Sequence, residues 1–121
     1  MTNVVVVADD LTGALDTGHG FAAGGRAVDT CLAGVDDGEV NPPPDADVLA
    51  VDTDSRDAPA DAAARAVERT VAGADAPLVY KKVDSTLRGN VVREVDAALA
   101  ASGATLAVVA PAFPRTGRTT R

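Results

Sequence analysis

The sequence has little cysteine and few aromatic residues. Cys31 is the one cysteine among 121 residues, so no disulfide can form within the chain. Trp is absent, and two Phe and one Tyr are the only aromatic residues, so a core must be built from Val, Leu and Ala. No apolar run reaches the ~18 residues of a membrane helix, and no signal-peptide pattern is present. These absences predict a soluble cytoplasmic protein with no membrane partner.

Positive charge is also scarce, and it is unevenly distributed. The chain has 18 acidic and 11 basic residues, which gives a formal net charge of -7. Residues 1–80 contain 15 acids and 4 bases, whereas residues 81–121 contain 3 acids and 7 bases. No basic stripe is interleaved with aromatic residues, which disfavours nucleic acid as a partner. The basic final third predicts a site for a small anion instead.

Short apolar runs alternate with stretches of helical periodicity. This alternation is typical of βα units around a parallel sheet, so we predict an α/β domain with a three-layer, Rossmann-like architecture and a mostly parallel sheet. Gly18 and Gly20 lower the helix propensity of the first helix, which predicts close packing there. We predict about five strands, at residues 3–8, 26–32, 47–52, 77–83 and 105–110, and three helices, which begin near residues 11, 59 and 90.

Polar clusters follow four of the predicted strands. The carboxyl ends of parallel strands meet at one edge of a sheet, where such folds bind ligands. The clusters are Asp9 and Asp10, DTDSRD (52–57), KKVDSTLRGN (81–90) and PAFPRTGRTTR (111–121). The third cluster contains the only two lysines of the chain, Lys81 and Lys82, followed by hydroxyl and guanidinium donors just before a helix, which favours an anion site.

The paired acids Asp9 and Asp10 fit more than one role. Either one can cap the first helix. Paired carboxylates at the end of a strand also bind Mg²⁺ or accept a proton from a hydroxyl group. The residue types alone leave these roles open.

Two classes of phosphate-handling protein fit parts of the pattern. A phospho-acceptor receiver domain has similar length, paired acids after strand one and an aspartate after strand three. It needs a Ser or Thr and then a Lys at the ends of its last two strands, where this chain has Lys81–Lys82 and Ala110–Pro111. A haloacid-dehalogenase-like phosphatase has an apolar strand followed by D-x-D-x-[ST], which residues 48–55 resemble, although Arg56 stands at the Ser or Thr position of that pattern. It also needs a later Ser or Thr where Ala110 stands.

Four ordered blocks resemble the N-terminal domain of the four-carbon acid sugar kinases. They are ADDLTGA (8–14), DTDSR (52–56), KKVDSTLRGN (81–90) and APAFPRTGRTT (110–120), and they span nearly the whole chain. The resemblance implies a kinase that uses ATP and Mg²⁺ to phosphorylate the terminal hydroxyl of threonate, erythronate or a 3-oxo-tetronate. It implies that residues 1–121 form an incomplete sugar-acid-binding domain. A separate C-terminal domain would bind the nucleotide, so we expect no bound cofactor or metal and no activity for this chain alone.

Basic residues of these four blocks are the candidates for binding the carboxylate of a sugar acid. We predict that Arg56 and Arg88, together with Lys82 or Lys81, bind this group, because a guanidinium fork matches a carboxylate. Arg115 and Arg118 are expected to meet nucleotide phosphates across a domain cleft.

Acidic and hydroxyl residues are the candidates for the sugar hydroxyls. We expect Asp9 or Asp10 to orient hydroxyl groups, and one of them or Asp84 to accept the proton of the attacking hydroxyl. Phosphoryl transfer depends mainly on positioning and charge neutralisation, so these residues need correct geometry more than unusual reactivity. The predicted neutral hydrogen-bond donors are Ser55, Ser85 and Thr86.

Overall fold

The computed structural model describes residues 1–34, 39–112 and 117. Within these ranges the elements are β1 (Val4–Ala8), α1 (Leu11–Ala23), β2 (Val28–Leu32), β3 (Val48–Asp52), α2 (Ala60–Ala74), β4 (Leu78–Lys82) and α3 (Val91–Ser102). The strands form one parallel sheet in the order β2-β3-β1-β4. The predicted α/β class, the parallel sheet and the three helices are therefore confirmed. No helix in this part of the chain has the length and apolar character needed to cross a membrane.

Helices cover both faces of the two central strands, so the domain has three layers. Side chains alternate between the two faces of a strand, so neighbouring valines of β1 enter different layers. Val5 and Val7 pack in the core formed with α2 and α3, which includes Val67. Val6 packs in the smaller core on the other face, against Phe21 of α1. Both faces of β1 and β3 are covered, which explains why these strands are continuously apolar.

Helix α1 lies close to the sheet at one of its two internal glycines. A Cβ atom at Gly18 would lie 3.3 Å from Val28 Cγ1 and 3.4 Å from Ala50 Cβ. A Cβ atom at Gly20 would meet nothing within 4 Å. Two residues along a helix correspond to a rotation of about 200°, so Gly20 lies on the opposite side. The prediction of close packing is confirmed for Gly18 and wrong for Gly20.

The predicted fifth strand is absent from the described part of the chain. Residues 105–110 have no strand structure, and the side chains of Leu106 and Val108 are 79% and 88% exposed. An apolar run becomes a strand when its backbone pairs with a neighbour and its side chains are covered. Neither condition is met here, so the sheet has four strands rather than about five.

The strand order also separates this fold from a receiver domain. Receiver domains have the flavodoxin-like order 2-1-3-4-5, in which the first strand lies between the second and the third. Here β3 lies between β2 and β1. The receiver interpretation is therefore wrong at the level of topology.

Candidate functional site

The loops that follow β1, β3 and β4 meet at the carboxyl edge of the sheet. The last residue of β1, Ala8, is aligned with Asp52 on one side and Lys82 on the other. Thr53 N donates to Ala8 O at 2.9 Å, and Ser55 N donates to Asp9 O at 3.0 Å. The loops after β1 and β3 are thus bonded to each other through their backbones.

Arg56 is held by the two acids that follow β1. Its Nη2 lies 3.0 Å from Asp9 Oδ1, its Nε lies 3.3 Å from Asp9 Oδ2, and its Nη1 lies 3.2 Å from Asp10 Oδ2. The hydrogen bonds that Arg56 donates to Asp9 raise the pKa of Arg56, and the charge of Asp10 adds to this effect. A two-point contact of this kind fixes the plane of the guanidinium as well as its position. Asp9 is buried while Arg56 and Asp10 are half-buried, so the cation lies at the boundary of the solvent.

Asp10 has a second role at the start of α1. Its Oδ1 accepts a hydrogen bond from Gly13 N at 2.8 Å, which is the geometry of a helix N-cap. Helix capping and the ion pair with Arg56 therefore use different oxygens of one carboxylate.

Asp84, in the loop after β4, is surrounded by donors. It accepts hydrogen bonds from Thr86 Oγ1, from Arg88 N at 3.1 Å, and from Arg88 Nε and Nη2 at 2.9 and 3.2 Å. The Arg88 guanidinium is the main reason that the pKa of Asp84 is held far below its usual range. Ser85, between them in sequence, is half-buried in the same loop. Asp84 is an ionised, well-satisfied acceptor that organises this loop.

The two lysines have different surroundings. Lys81 Nζ lies 3.3 Å from Glu94 Oε1 and donates to Lys82 O at 2.8 Å. Lys82 Nζ donates to Val83 O at 2.7 Å. The charge of Lys81 is therefore directed at a carboxylate of α3 and away from the Arg56 cluster.

Two residues at the start of α3, Asn90 and Glu94, contact the site but were not among the predicted site residues. Glu94 is 1% exposed and accepts a hydrogen bond from Ser55 Oγ at 3.2 Å. Burial is the main cause that raises the pKa of Glu94. Asn90 precedes α3, as predicted, but its amide donates to Ser55 O and Ala58 O at 3.1 and 2.9 Å and makes no capping bond. One pattern in the sequence could have identified Glu94. It is a charged residue on the apolar face of the predicted third helix, because Val91, Glu94 and Ala98 follow helical spacing.

An open cavity of about 650 Å³ lies beside Arg56. Its volume is in the range of small-molecule sites. The lining residues are Asp9, Asp10, Asp54, Arg56, Asp57, Ala58, Pro59 and Ala62. In the described ranges, no group of three His, Cys, Asp or Glu side chains is arranged to hold a metal ion.

Some predicted residues are outside this cavity. The predicted binding residues that do not line it are Ser55, Lys81, Lys82, Asp84, Ser85, Thr86 and Arg88. Asp52, at the start of the DTDSR block, is buried, accepts from Asp54 N at 2.7 Å and does not line the cavity either. Its pKa is raised, mainly by burial. Arg115 and Arg118 lie outside the described residues.

The chain is similar to named sugar-acid kinases over nearly its whole length. The D-threonate kinases of Salmonella typhimurium and Bordetella bronchiseptica are 46% and 48% identical to the chain, over 97% and 96% of its length. The D-erythronate kinase of Heliobacterium modesticaldum is 45% identical over 99% of the chain. The chain spans only 28%, 30% and 28% of these three relatives.

A solved structure shares the fold. The crystal structure of a domain of unknown function from Bordetella bronchiseptica, a domain-swapped dimer with bound citrate, is 43% identical and superposes with a TM-score of 0.68. The match covers 81% of this chain and 25% of that one. The family model that describes a sugar-binding N-terminal domain matches residues 4–121. The chain therefore belongs to the sugar-binding N-terminal domain family, and its resemblance to the N-terminal domains of the four-carbon acid sugar kinases is confirmed.

Proposed function

We propose that this domain binds a four-carbon sugar acid, such as D-threonate or D-erythronate, at the carboxyl edge of the sheet. The observation that carries the proposal is the Arg56 guanidinium, oriented by Asp9 and Asp10 beside a cavity of ligand size. The names of the relatives, D-threonate kinase and D-erythronate kinase, support the choice of substrate class. The citrate in the related crystal structure supports a ligand that carries carboxylates.

The cavity lining offers one guanidinium for an acid group and several carboxylates for hydroxyl groups. Arg56 is the cation of the cavity lining and is assigned to the substrate carboxylate. Lys82 ends β4 and Arg88 follows it at the same edge, but neither lines the cavity, and Arg88 is paired with Asp84. Asp54 and Asp57 are exposed carboxylates of the lining, and carboxylate oxygens accept hydrogen bonds from hydroxyl groups.

The domain would serve as the acid-binding part of an ATP-dependent kinase that phosphorylates the terminal hydroxyl. Asp10 or Asp9 is assigned as the proton acceptor because both carboxylates line the cavity. Asp84 is a weaker base, since its donors stabilise the ionised form. ATP and Mg²⁺ are expected at a site outside this domain. The residues described here would position the substrate and its attacking hydroxyl.

Calorimetric titration of the 121-residue chain with D-threonate and D-erythronate tests the binding step. We expect Arg56→Ala to weaken binding about tenfold or more, since a hydrogen bond to a charged group contributes about 1.5–3 kcal/mol. The matched control is Arg93→Ala, which removes an exposed arginine that pairs with Asp61. No heat at millimolar ligand, or equal affinity of the two variants, would contradict the proposal.

A chimera tests the kinase step. This chain replaces the matching segment of the Salmonella D-threonate kinase, to which it is 46% identical. We expect ATP-dependent phosphorylation of a four-carbon sugar acid by the chimera and none by the 121-residue chain. Turnover by the isolated chain, or a folded chimera that binds the acid but never phosphorylates it, would refute the assignment to a kinase.

A further inference from the structure

We infer that Asn90 and Glu94, at the start of α3, are positioning residues that hold Arg56 in its place in the site. The placement of Arg56 does not depend on the proposed function, whereas the effect of this placement on D-threonate binding rests on it. Asn90 and Glu94 do not line the cavity and make no bond to the guanidinium. They bind the loop that carries Arg56 instead.

The loop is held on both sides of Arg56. On the N-terminal side, the Ser55 hydroxyl donates to Glu94 Oε1 at 3.2 Å and the Ser55 carbonyl accepts from Asn90 Nδ2 at 3.1 Å. On the C-terminal side, the Ala58 carbonyl accepts from the same Asn90 amide at 2.9 Å. Three bonds from one helical turn therefore fix the backbone immediately before and shortly after Arg56.

The same contacts extend to the other strands of the edge. Ser55 Oγ lies 2.7 Å from Thr53 Oγ1, which donates to Ala8 O at 3.0 Å at the end of β1. Glu94 also pairs with Lys81 of β4 at 3.3 Å. Glu94 thus connects α3 to the ends of β1, β3 and β4, the three strands whose loops make the site.

Burial of the Glu94 carboxylate is costly, so stability by itself does not explain an acid at this position. A carboxylate that is 1% exposed loses its hydration. The attraction of an ion pair offsets that free-energy cost only when the geometry of the pair is good. An apolar residue at position 94 would avoid that cost, but it would remove the carboxylate partner of Ser55 and Lys81. The benefit of the acid is therefore the placement of the loop, because an error of about 1 Å in a positioning group can cost roughly a hundredfold in rate.

The first test observes Arg56 directly and needs no ligand. The Nε–H resonance of Arg56 is assigned in a ¹⁵N-labelled chain by its loss in Arg56→Lys. We expect Glu94→Gln and Asn90→Ala to shift or broaden this resonance. The matched control is Val71→Ala, which truncates a buried residue of α2 in the core beside α3 and leaves the loop intact. It should lower the unfolding midpoint and leave the resonance in place.

The second test measures D-threonate affinity in the same variants, at a temperature where circular dichroism shows each to be folded. We expect a loss of about tenfold or more for Glu94→Gln and Asn90→Ala, and a change within about twofold for Val71→Ala. If Glu94→Gln fails to fold, Asn90→Ala decides, since it removes a half-buried amide and no charge.

The outcomes separate the inference from the proposed function. An unchanged Arg56 resonance in both folded variants overturns the inference, whatever the ligand does. A moved resonance in a protein whose wild type binds no sugar acid supports the positioning and refutes the proposed function. A moved resonance with unchanged D-threonate affinity also overturns the inference, because Arg56 would then bind the ligand without being positioned.

Discussion

Replacement of Gly89 by alanine tests the packing around Asp9. Gly89 has φ +89°, in the left-handed region, and a Cβ atom there would lie 2.7 Å from Asp9 Oδ2 and 3.3 Å from Arg56 Cγ. Asp9 Oδ2 cannot simply move away, because Asp9 is buried and this oxygen accepts from Arg56 Nε. Gly89→Ala should therefore strain the backbone and disturb the ion pair at the same time.

Gly103 separates these two effects. It has φ +68°, and a Cβ atom there would meet nothing within 4 Å. Gly103→Ala should lower the free energy of unfolding by the backbone strain alone, about 1–2 kcal/mol. Gly89→Ala should lose that amount and about 1.5–3 kcal/mol more, the contribution of a hydrogen bond to a charged group.

Urea denaturation gives the free energies of unfolding, and calorimetry gives the D-threonate affinities. We expect Gly89→Ala to be the less stable variant and to bind D-threonate about tenfold more weakly, a loss of about 1.4 kcal/mol. Gly103→Ala should bind as well as the unmodified chain. Equal stability losses in the two variants would refute the argument, since they would show that Asp9 accommodates the extra methyl group freely.

Two further predictions concern the stability of the fold. Gly20→Ala should raise the free energy of unfolding by up to about 1 kcal/mol in urea denaturation, since Gly20 lies in α1 and a Cβ atom there meets nothing; a loss would contradict the open surroundings of that glycine. The pKa of Asp84 is lower in the folded protein than in the unfolded chain, where it is about 3.9. The resulting stability is present above the unfolded-state pKa and is lost as the pH falls towards the folded-state pKa. Asp84→Asn should therefore destabilise the protein at pH 7, and the difference should shrink below about pH 4. The pKa of Asp52 is raised, so Asp52→Asn should have the opposite sign and stabilise the protein at pH 7; parallel pH profiles for the two variants would show that one of the two assignments is wrong.

The site could be located from the sequence because its location follows from local patterns. The valine run of β1 and the VLAVD run of β3 predict buried parallel strands, and such strands end at a common edge. The acids after β1 and the DTDSR block after β3 are therefore expected at one edge of the sheet, and the pairing of β1 with β3 makes them neighbours. The same local signals predicted the start of α3 at Asn90.

The partner of each side chain could not be predicted in this way, because pairing joins residues that are distant in the chain. Asp9 and Arg56 are 47 residues apart, and Ser55 and Glu94 are 39 apart. Lys81 looked free to bind a substrate anion, but the fold brings a buried carboxylate to it. The apolar run at 105–110 predicted a strand from composition alone, yet its backbone has no strand neighbour in the described structure.

Local patterns thus determined the fold class, the edge that carries the site and most of the chemical groups found there. Tertiary structure decided which charges neutralise each other and which remain at the cavity, because electrostatic energy depends on distance and burial. Arg56 lies beside the cavity while Lys81 turns towards α3, although both are basic residues at the same edge of the sheet.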